Sequence, residues 1–431
     1  MGLFTQTKKE ERSPARTVIE DVVKAKKDEK VLIIANPETN IIAQDLYTAA
    51  VEAECRTVLV YQGKKSIMDN TEDAVTGAIK SEPDIILSIS AGKLGKDREA
   101  IKNPYKDEKG SEYTSAFDYL IYGKKCTRAV WMPGVTADMF NKTVNIDYKL
   151  LADRCRKLSR RLENAVSIHV TSPNGTDITV PVEGRVCMCD DGDYSLAGSG
   201  GNIPSGEIFI SPQTGKSKKA ETNGESALDK IKDKVSGLHL KELVEDFTGS
   251  KKEEVEDNAE KIEETSEPAE NNKTVSGCTG VIVFDGSMSF ADGSALLDTP
   301  ITCRVEDGFV TEITGGEEAK RLVKDIGQAE REPFTMEESG QLPKGQGEVY
   351  ARNARNIGEL GIGLNPNASI TGNMLEDEKA FHTCHFAIGQ NYDGDAPALI
   401  HLDGLVRNPT ITVSYADDKD FIVLDKGELK I

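Results

Sequence analysis

Residues 30 to 61 read KVLIIANPETNIIAQDLYTAAVEAECRTVLVY. Two apolar runs of strand length, Lys30 to Ala35 and Thr57 to Tyr61, flank a stretch from Asn40 to Glu54 with helical spacing. A second helical pattern, Glu72 to Ile79, leads to a third run, Asp84 to Ser88. Strand, helix, strand, helix, strand predicts a parallel sheet with crossover helices. Asn36-Pro37 ends the first strand, and an amphipathic helix over 14 to 28, with Val18, Ile19, Val22 and Val23 at helical spacing, precedes it. Dinucleotide binding would need G-x-G-x-x-G where this chain has Ala35-Asn36-Pro37-Glu38. Gly92-Lys93-Leu94-Gly95-Lys96 lacks the spacing of a phosphate-binding loop and reads as surface.

Outward from this sheet, 431 residues exceed what one core usually organises, and an apolar content of 38% suffices for two. The expected fold is α/β: an N-terminal parallel-sheet domain over residues 1 to 159, then a mixed α+β metal-binding domain over 160 to 431. Lys and Arg total 53 against 73 Asp and Glu, a net charge of −20, which argues against nucleic acid and against an anionic membrane surface. No apolar run has transmembrane length and MGLFTQTKKEERSPAR lacks the apolar core of a signal peptide, so a cytoplasmic protein is expected. Eight cysteines with no CxxC pair indicate reduced thiols, and Cys187 and Cys189 would share one strand face as packing.

Beyond Arg128 to Gly134, a strand-like entry to a turn, a helix from Tyr148 to Asn164 leads into a hairpin. In it Val166, Ile168 and Val170, then Ile178, Val180 and Val182, alternate around Asn174-Gly175. A glycine-rich connection, Leu196 to Gly201, continues as a loop that presents Glu207 where an apolar run begins; composition alone makes that an ordinary exposed glutamate. Residues 216 to 273, ending in GSKKEEVEDNAEKIEETSEPAENNKT, are too polar to bury a core and read as a solvated insertion, helical near Ala227 to Leu243. Antiparallel strands from Cys278 to Ile313 and a helix from Glu317 to Asp325 follow.

The stretch from Ala351 to Arg407 gathers Glu359, Tyr392 and Asp403 with three of the five histidines, His382, His385 and His401. In His401-Leu402-Asp403 strand alternation sends the imidazole and the carboxylate to one face. That pair is either half a metal site or a histidine hydrogen-bonded to its neighbour. His169, on the polar side of the hairpin, and His239, in the insertion, read as structural or solvated.

Four motifs in order, GNIPSGEIFISP at Gly201, ARNIGELGIGLNPNA at Ala354, EKAFHTCHFAIGQNY at Glu378 and IHLDG at Ile400, resemble the thermophilic leucyl metallo-aminopeptidases of the aminopeptidase T type. With weaker likeness in WMPGVTADMF at Trp131, the resemblance spans most of the chain outside the insertion. It implies two divalent ions (Zn, Co or Mn) held by Glu207, Glu359, His385, His401 and Asp403, with Glu359 and Tyr392 catalytic. The expected reaction removes the N-terminal residue of short peptides, in a homodimer whose site faces an internal cavity. Five N and O ligands can hold two ions with a shared carboxylate, a pair able to activate water and polarise a carbonyl, while Tyr392 donates to the oxyanion. His382 stands where a small residue is expected, as a partner behind His385 or simply exposed.

Some relatives resemble non-haem Fe(II) ring-cleaving dioxygenases of the 2,5-dihydroxypyridine type, for which His385, His401 and Asp403 would supply two histidines and a carboxylate for a single iron. The presence of both Glu207 and Glu359 favours the hydrolase, because a one-iron site needs open positions rather than two more carboxylates. A non-catalytic binding protein would leave ligands unused, and the set is undamaged.

Overall fold

The computed structural model describes residues 12–66, 69–215, 277–417 and 419–431. The insertion over 216 to 273, with the helix expected near Ala227 to Leu243 and His239, lies outside the described residues.

The protein is mixed α/β, with a parallel sheet at its N-terminal side and antiparallel sheets beyond. Strands Lys30–Ala35, Arg56–Tyr61, Ile85–Ile89 and Arg128–Trp131 form the parallel sheet, with Lys30–Ala35 and Ile85–Ile89 central. Both central strands are buried almost throughout, so their sequences are near-continuous apolar runs rather than alternating ones. Helix Asn40–Glu52 covers one face with Ile42, Ala43 and Leu46; Val75, Ile79, Phe117 and Leu120 cover the other. The helix expected over 14 to 28 is shorter: Pro14–Thr17 continues as a π-turn over Val18–Val22, and Lys24 at φ 45° turns the chain away.

A fifth parallel strand, Gly200–Asn202, pairs with Arg128–Trp131 and comes from the connection read as a loop. Gly200 explains it: a Cβ there would lie 2.8 Å from the Trp131 ring and 2.7 Å from the Ala129 carbonyl, so only glycine can sit at this edge. The hairpin forms as Ala165–Thr171 and Asp177–Pro181, with Gly175 alone in its turn at positive φ, +104°. It belongs to an eight-stranded antiparallel sheet that also holds Thr279–Phe284, Ile301–Glu306 and Thr410–Tyr415. Gly215 and Gly277, on either side of the undescribed insertion, both lie against the Asp307–Gly308 turn of this sheet. Helix Glu317–Glu338 runs well past the expected Asp325, because Ile326, Ala329 and Pro333 continue its buried stripe at three- and four-residue steps.

The third sheet is antiparallel and seven-stranded, in the order Gly293–Leu296, Ser287–Phe290, His401–Arg407, Thr383–Gly389, Ile357–Gly363, Glu207–Ile210, Met188–Asp190. One face packs into a core shared with the parallel sheet, so that Ile33 and Leu87 belong to the same apolar cluster as Ile208, Phe284 and Phe386. Truncating the fully buried Phe386 to Ala should lower unfolding stability by about 3–5 kcal/mol. Urea titration followed by circular dichroism checks this, and an unchanged midpoint would contradict that packing.

Candidate metal centre

Four neighbouring strands of the seven-stranded sheet bring the candidate ligands together. Register does the work: Asp403 pairs with Ala387, Glu359 also pairs with Ala387 on its other side, His385 faces Gly361, His401 faces Gly389 and Glu207 faces Gly363. Each ligand thus lies opposite glycine or alanine, which leaves the face open for the longer side chains. At Gly361 the need is direct, since a Cβ would lie 2.0 Å from His385 Nε2.

Glu359 stands between the two imidazoles. Its Oε1 is 3.0 Å from His385 Nε2 and its Oε2 is 3.3 Å from His401 Nε2. Glu207 Oε2 lies 3.3 Å from His385 Nε2, and Asp403 Oδ1 lies 3.2 Å from His401 Nε2. Two groups result, each with ligand atoms within 4.8 Å of one another: Glu207, Glu359 and His385, and Glu359, His401 and Asp403. Glu359 is the member common to both. The residues fit cations by their chemistry as well as their spacing. Glu207 Oε2 and Asp403 Oδ1 are buried and accept no hydrogen bond among the described residues, which is costly for carboxylate oxygens without a ligand. His401 Nδ1 lies 2.9 Å from the Gln390 carbonyl and donates to it, which turns Nε2 toward Glu359 and Asp403. The His401 side chain is 17% exposed and that of His385 1%, so the site opens at His401 and closes at His385.

Tyr392 lies at the open side, its ring 5.1 Å from those of both His401 and Phe209. It belongs to a loop tied by Asn391 Oδ1, which accepts from the Gly394 and Ala396 amides, and by Arg185, 2.7 Å from Asp395. The His401 ring pulls its hydroxyl down, but burial and the charges of Glu359 and Asp403 raise it further, so it stays a protonated donor. His382 lies elsewhere: exposed at φ +68°, it bonds the Gly427 carbonyl at 3.0 Å and is no partner of His385. His169 pairs with Asp177 across the hairpin at 2.8 Å.

Sequence reasoning missed three residues. Lys379 is almost completely buried, with Nζ 2.5 Å from Glu207 Oε1, 2.6 Å from Glu378 Oε1 and 3.3 Å from Asp190 Oδ2. In Glu376-Asp377-Glu378-Lys379 the charges look like a solvated turn. Instead Glu376 and Asp377 accept from Ser369, Thr371 and Gly372 and so hold the preceding loop, while the next two residues turn to the site. The available signal was a charged row placed directly before the fully buried strand Thr383–Gly389.

Burial works against a charged His385 ring, but the hydrogen bond to Glu359 and the charges of Glu207, Glu359 and Asp403 outweigh it and raise the ring to about 9. Burial raises Glu207 to about 8 against the opposing pull of Lys379. Burial opposes ionised Glu359 as well, yet the bonds from His385 and His401 bring it down to about 2. Without a cation, His385 and Glu207 therefore both carry a proton at neutral pH. A divalent ion needs the neutral ring and the bare carboxylate, so binding expels those protons. The sign follows: affinity is weakest at low pH and rises through neutrality as these protons leave. His401, whose charged ring burial opposes but the charges of Asp403 and Tyr392 raise, must lose its proton as well. Apparent Mn²⁺ affinity of the metal-free protein should climb roughly tenfold or more per pH unit just above neutrality. A flat profile in calorimetric titrations would remove the proton-displacement account.

No helix among the described residues is long and apolar enough to cross a membrane. No family model matches the chain, and no curated protein does. Solved structures do. The 2,5-dihydroxypyridine dioxygenase from Pseudomonas putida KT2440 superposes with a TM-score of 0.55 at 16% identity, over 97% of this chain and 98% of that one. Wild-type AmpT from Thermus thermophilus superposes with a TM-score of 0.56 at 14% identity and the same coverage. At such identities these likenesses establish a distant relationship of fold over nearly the full length of the three chains.

Proposed function

We propose that the protein is a metal-dependent aminopeptidase that releases the N-terminal residue of short peptides. The observation that carries this reading is the pair of ligand groups sharing Glu359. Divalent ions bound there would supply an activated water and polarise the scissile carbonyl. The chain's own residues do the rest. A peptide enters past His401 and Tyr392, where the site is open. Its free ammonium group meets the carboxylates of Glu359 and Asp403 beside His401, which favours a chain end over an internal peptide bond. Tyr392, kept protonated, donates to the carbonyl oxygen as negative charge develops there. Phe209 and His401 flank its ring at that edge; the proposal includes a homodimer as the working form.

A second reading, a ring-cleaving dioxygenase with one Fe(II) on His385, His401 and Asp403, is favoured by one observation: Lys379 Nζ already engages Glu207 Oε1 at 2.5 Å, which makes Glu207 less available as a ligand. The fold likenesses support the two readings alike. Purified protein should be analysed for metal per chain and assayed with aminoacyl chromogenic substrates beside oxygen consumption with dihydroxypyridines. Two divalent ions with peptide hydrolysis is the expected result. One iron with oxygen uptake would transfer the assignment to the oxygenase.

A further inference from the structure

Lys379 is the one ammonium among the described residues that touches a candidate ligand, and it touches only one of the two groups. Its Nζ lies 2.5 Å from Glu207 Oε1, on the carboxylate whose other oxygen faces His385. The ion pairs of His401 and Asp403 run to each other and to Glu359, with no lysine or arginine among them. The lysine has little freedom to withdraw. It is 1% exposed, its own amide donates to the Glu376 carbonyl at 3.0 Å, and Glu378 and Asp190 hold the ammonium from two further sides.

We propose that Lys379 makes the two cation positions unequal: the inner one, on Glu207, Glu359 and His385, binds weakly and exchanges, while the outer one, on Glu359, His401 and Asp403, binds tightly. The proposal rests on the two-position reading above. Each position has two carboxylates, one of them shared, and one imidazole. At the inner position a fixed positive charge cancels much of what Glu207 offers and repels a dication held by the same carboxylate. Through the low effective dielectric of a buried site this repulsion weakens binding by roughly tenfold or more. Depth does not offset it, because the inner position is also the one farther from water, so the repulsion between ammonium and dication is little screened there. The inner ion would then be the one that free cation concentration controls, so the occupied pair forms only above a threshold concentration.

The test is binding, read apart from turnover. Metal-free protein is titrated with Mn²⁺ by calorimetry, with free ion followed by electron paramagnetic resonance, for wild type, Glu207→Gln, Lys379→Gln and Lys379→Arg. Wild type should bind in two steps separated by roughly tenfold or more. Glu207→Gln should lose the weak step and keep the tight one. Lys379→Gln should tighten the weak step by a similar factor, and Lys379→Arg, which keeps the charge, should not. Loss of the tight step in Glu207→Gln, or an unmoved weak step in Lys379→Gln, overturns the proposal. Should Lys379→Gln fail to fold, Glu207→Gln decides alone. Two equal steps in wild type would sink this inference and leave the two-ion reading standing. A single step that becomes two in Lys379→Gln would do the reverse.

Discussion

Glu359→Gln should abolish cation binding at both proposed positions and, with it, the peptide hydrolysis proposed for the site. Glu359 is the sole residue common to the two ligand groups, and each of its oxygens faces a different imidazole. Its carboxyl is held down to about 2, so it is ionised throughout the working range. An amide in its place offers one neutral oxygen, and its nitrogen turns a donor toward a ring nitrogen or an incoming ion. Altering groups that merely orient a ligand costs 10- to 100-fold in metal affinity, so removing a shared ligand should exceed about 100-fold. Hydrolysis should fall below detection while circular dichroism and the urea midpoint stay near wild type. Undiminished turnover, or two ions still bound, would take Glu359 out of the centre.

Gly361→Ala should be nearly as damaging, though it adds one methyl group and touches no charge. The new Cβ would lie 2.0 Å from His385 Nε2 and 2.2 Å from Cε1, closer than any real contact. Gly361 is not among the positive-φ glycines, so the backbone accepts alanine and the conflict falls on the ring. His385 is 1% exposed and its Nε2 lies against Glu207 and Glu359, so moving the ring breaks its place in the inner group. Overpacking of this kind costs about 1–3 kcal/mol of stability. The larger effect is on the inner group, which loses the position of its only nitrogen ligand. Mn²⁺ titration should show that group's step weakened by at least about tenfold. Gly77, with nothing within 4 Å of its absent Cβ, supplies the control; Ala there should leave binding unchanged and add up to about 1 kcal/mol of helix stability. Equal behaviour of the two variants would contradict the described fit of His385 against Gly361.

Much of this was legible in the residues. Strands buried on both faces must be apolar throughout, so Lys30–Ala35 and Ile85–Ile89 announce themselves. His401 and Asp403 are two apart, so alternation alone sends them to one side, and the structure places Leu402 in the core between them. What stayed hidden depends on register and on distant partners. Nothing within GELGIG says that its second glycine makes room for a histidine on the next strand; that needs the pairing of Gly361 with His385. Lys379 went unnoticed because two of the three carboxylates that explain a buried lysine, Glu207 and Asp190, are far away in the chain. Gly200–Asn202 looked like a loop because three residues without large side chains carry no strand period. The helix from Glu317 runs beyond its expected end at Asp325 because the buried stripe continues through Ile326, Ala329 and Pro333.

Gly215 and Gly277 meet at a single turn, with Asp307 and Gly308 against both. The span between them leaves and rejoins the molecule at almost one point, whatever it contains. Closing such a span depends only on the logarithm of its length, and doubling it adds about 0.6 kcal/mol. Evolution can therefore lengthen or shorten the interruption between Glu207 and its fellow ligands with little thermodynamic penalty, and spacing along the chain is a poor measure of which residues work together in this centre.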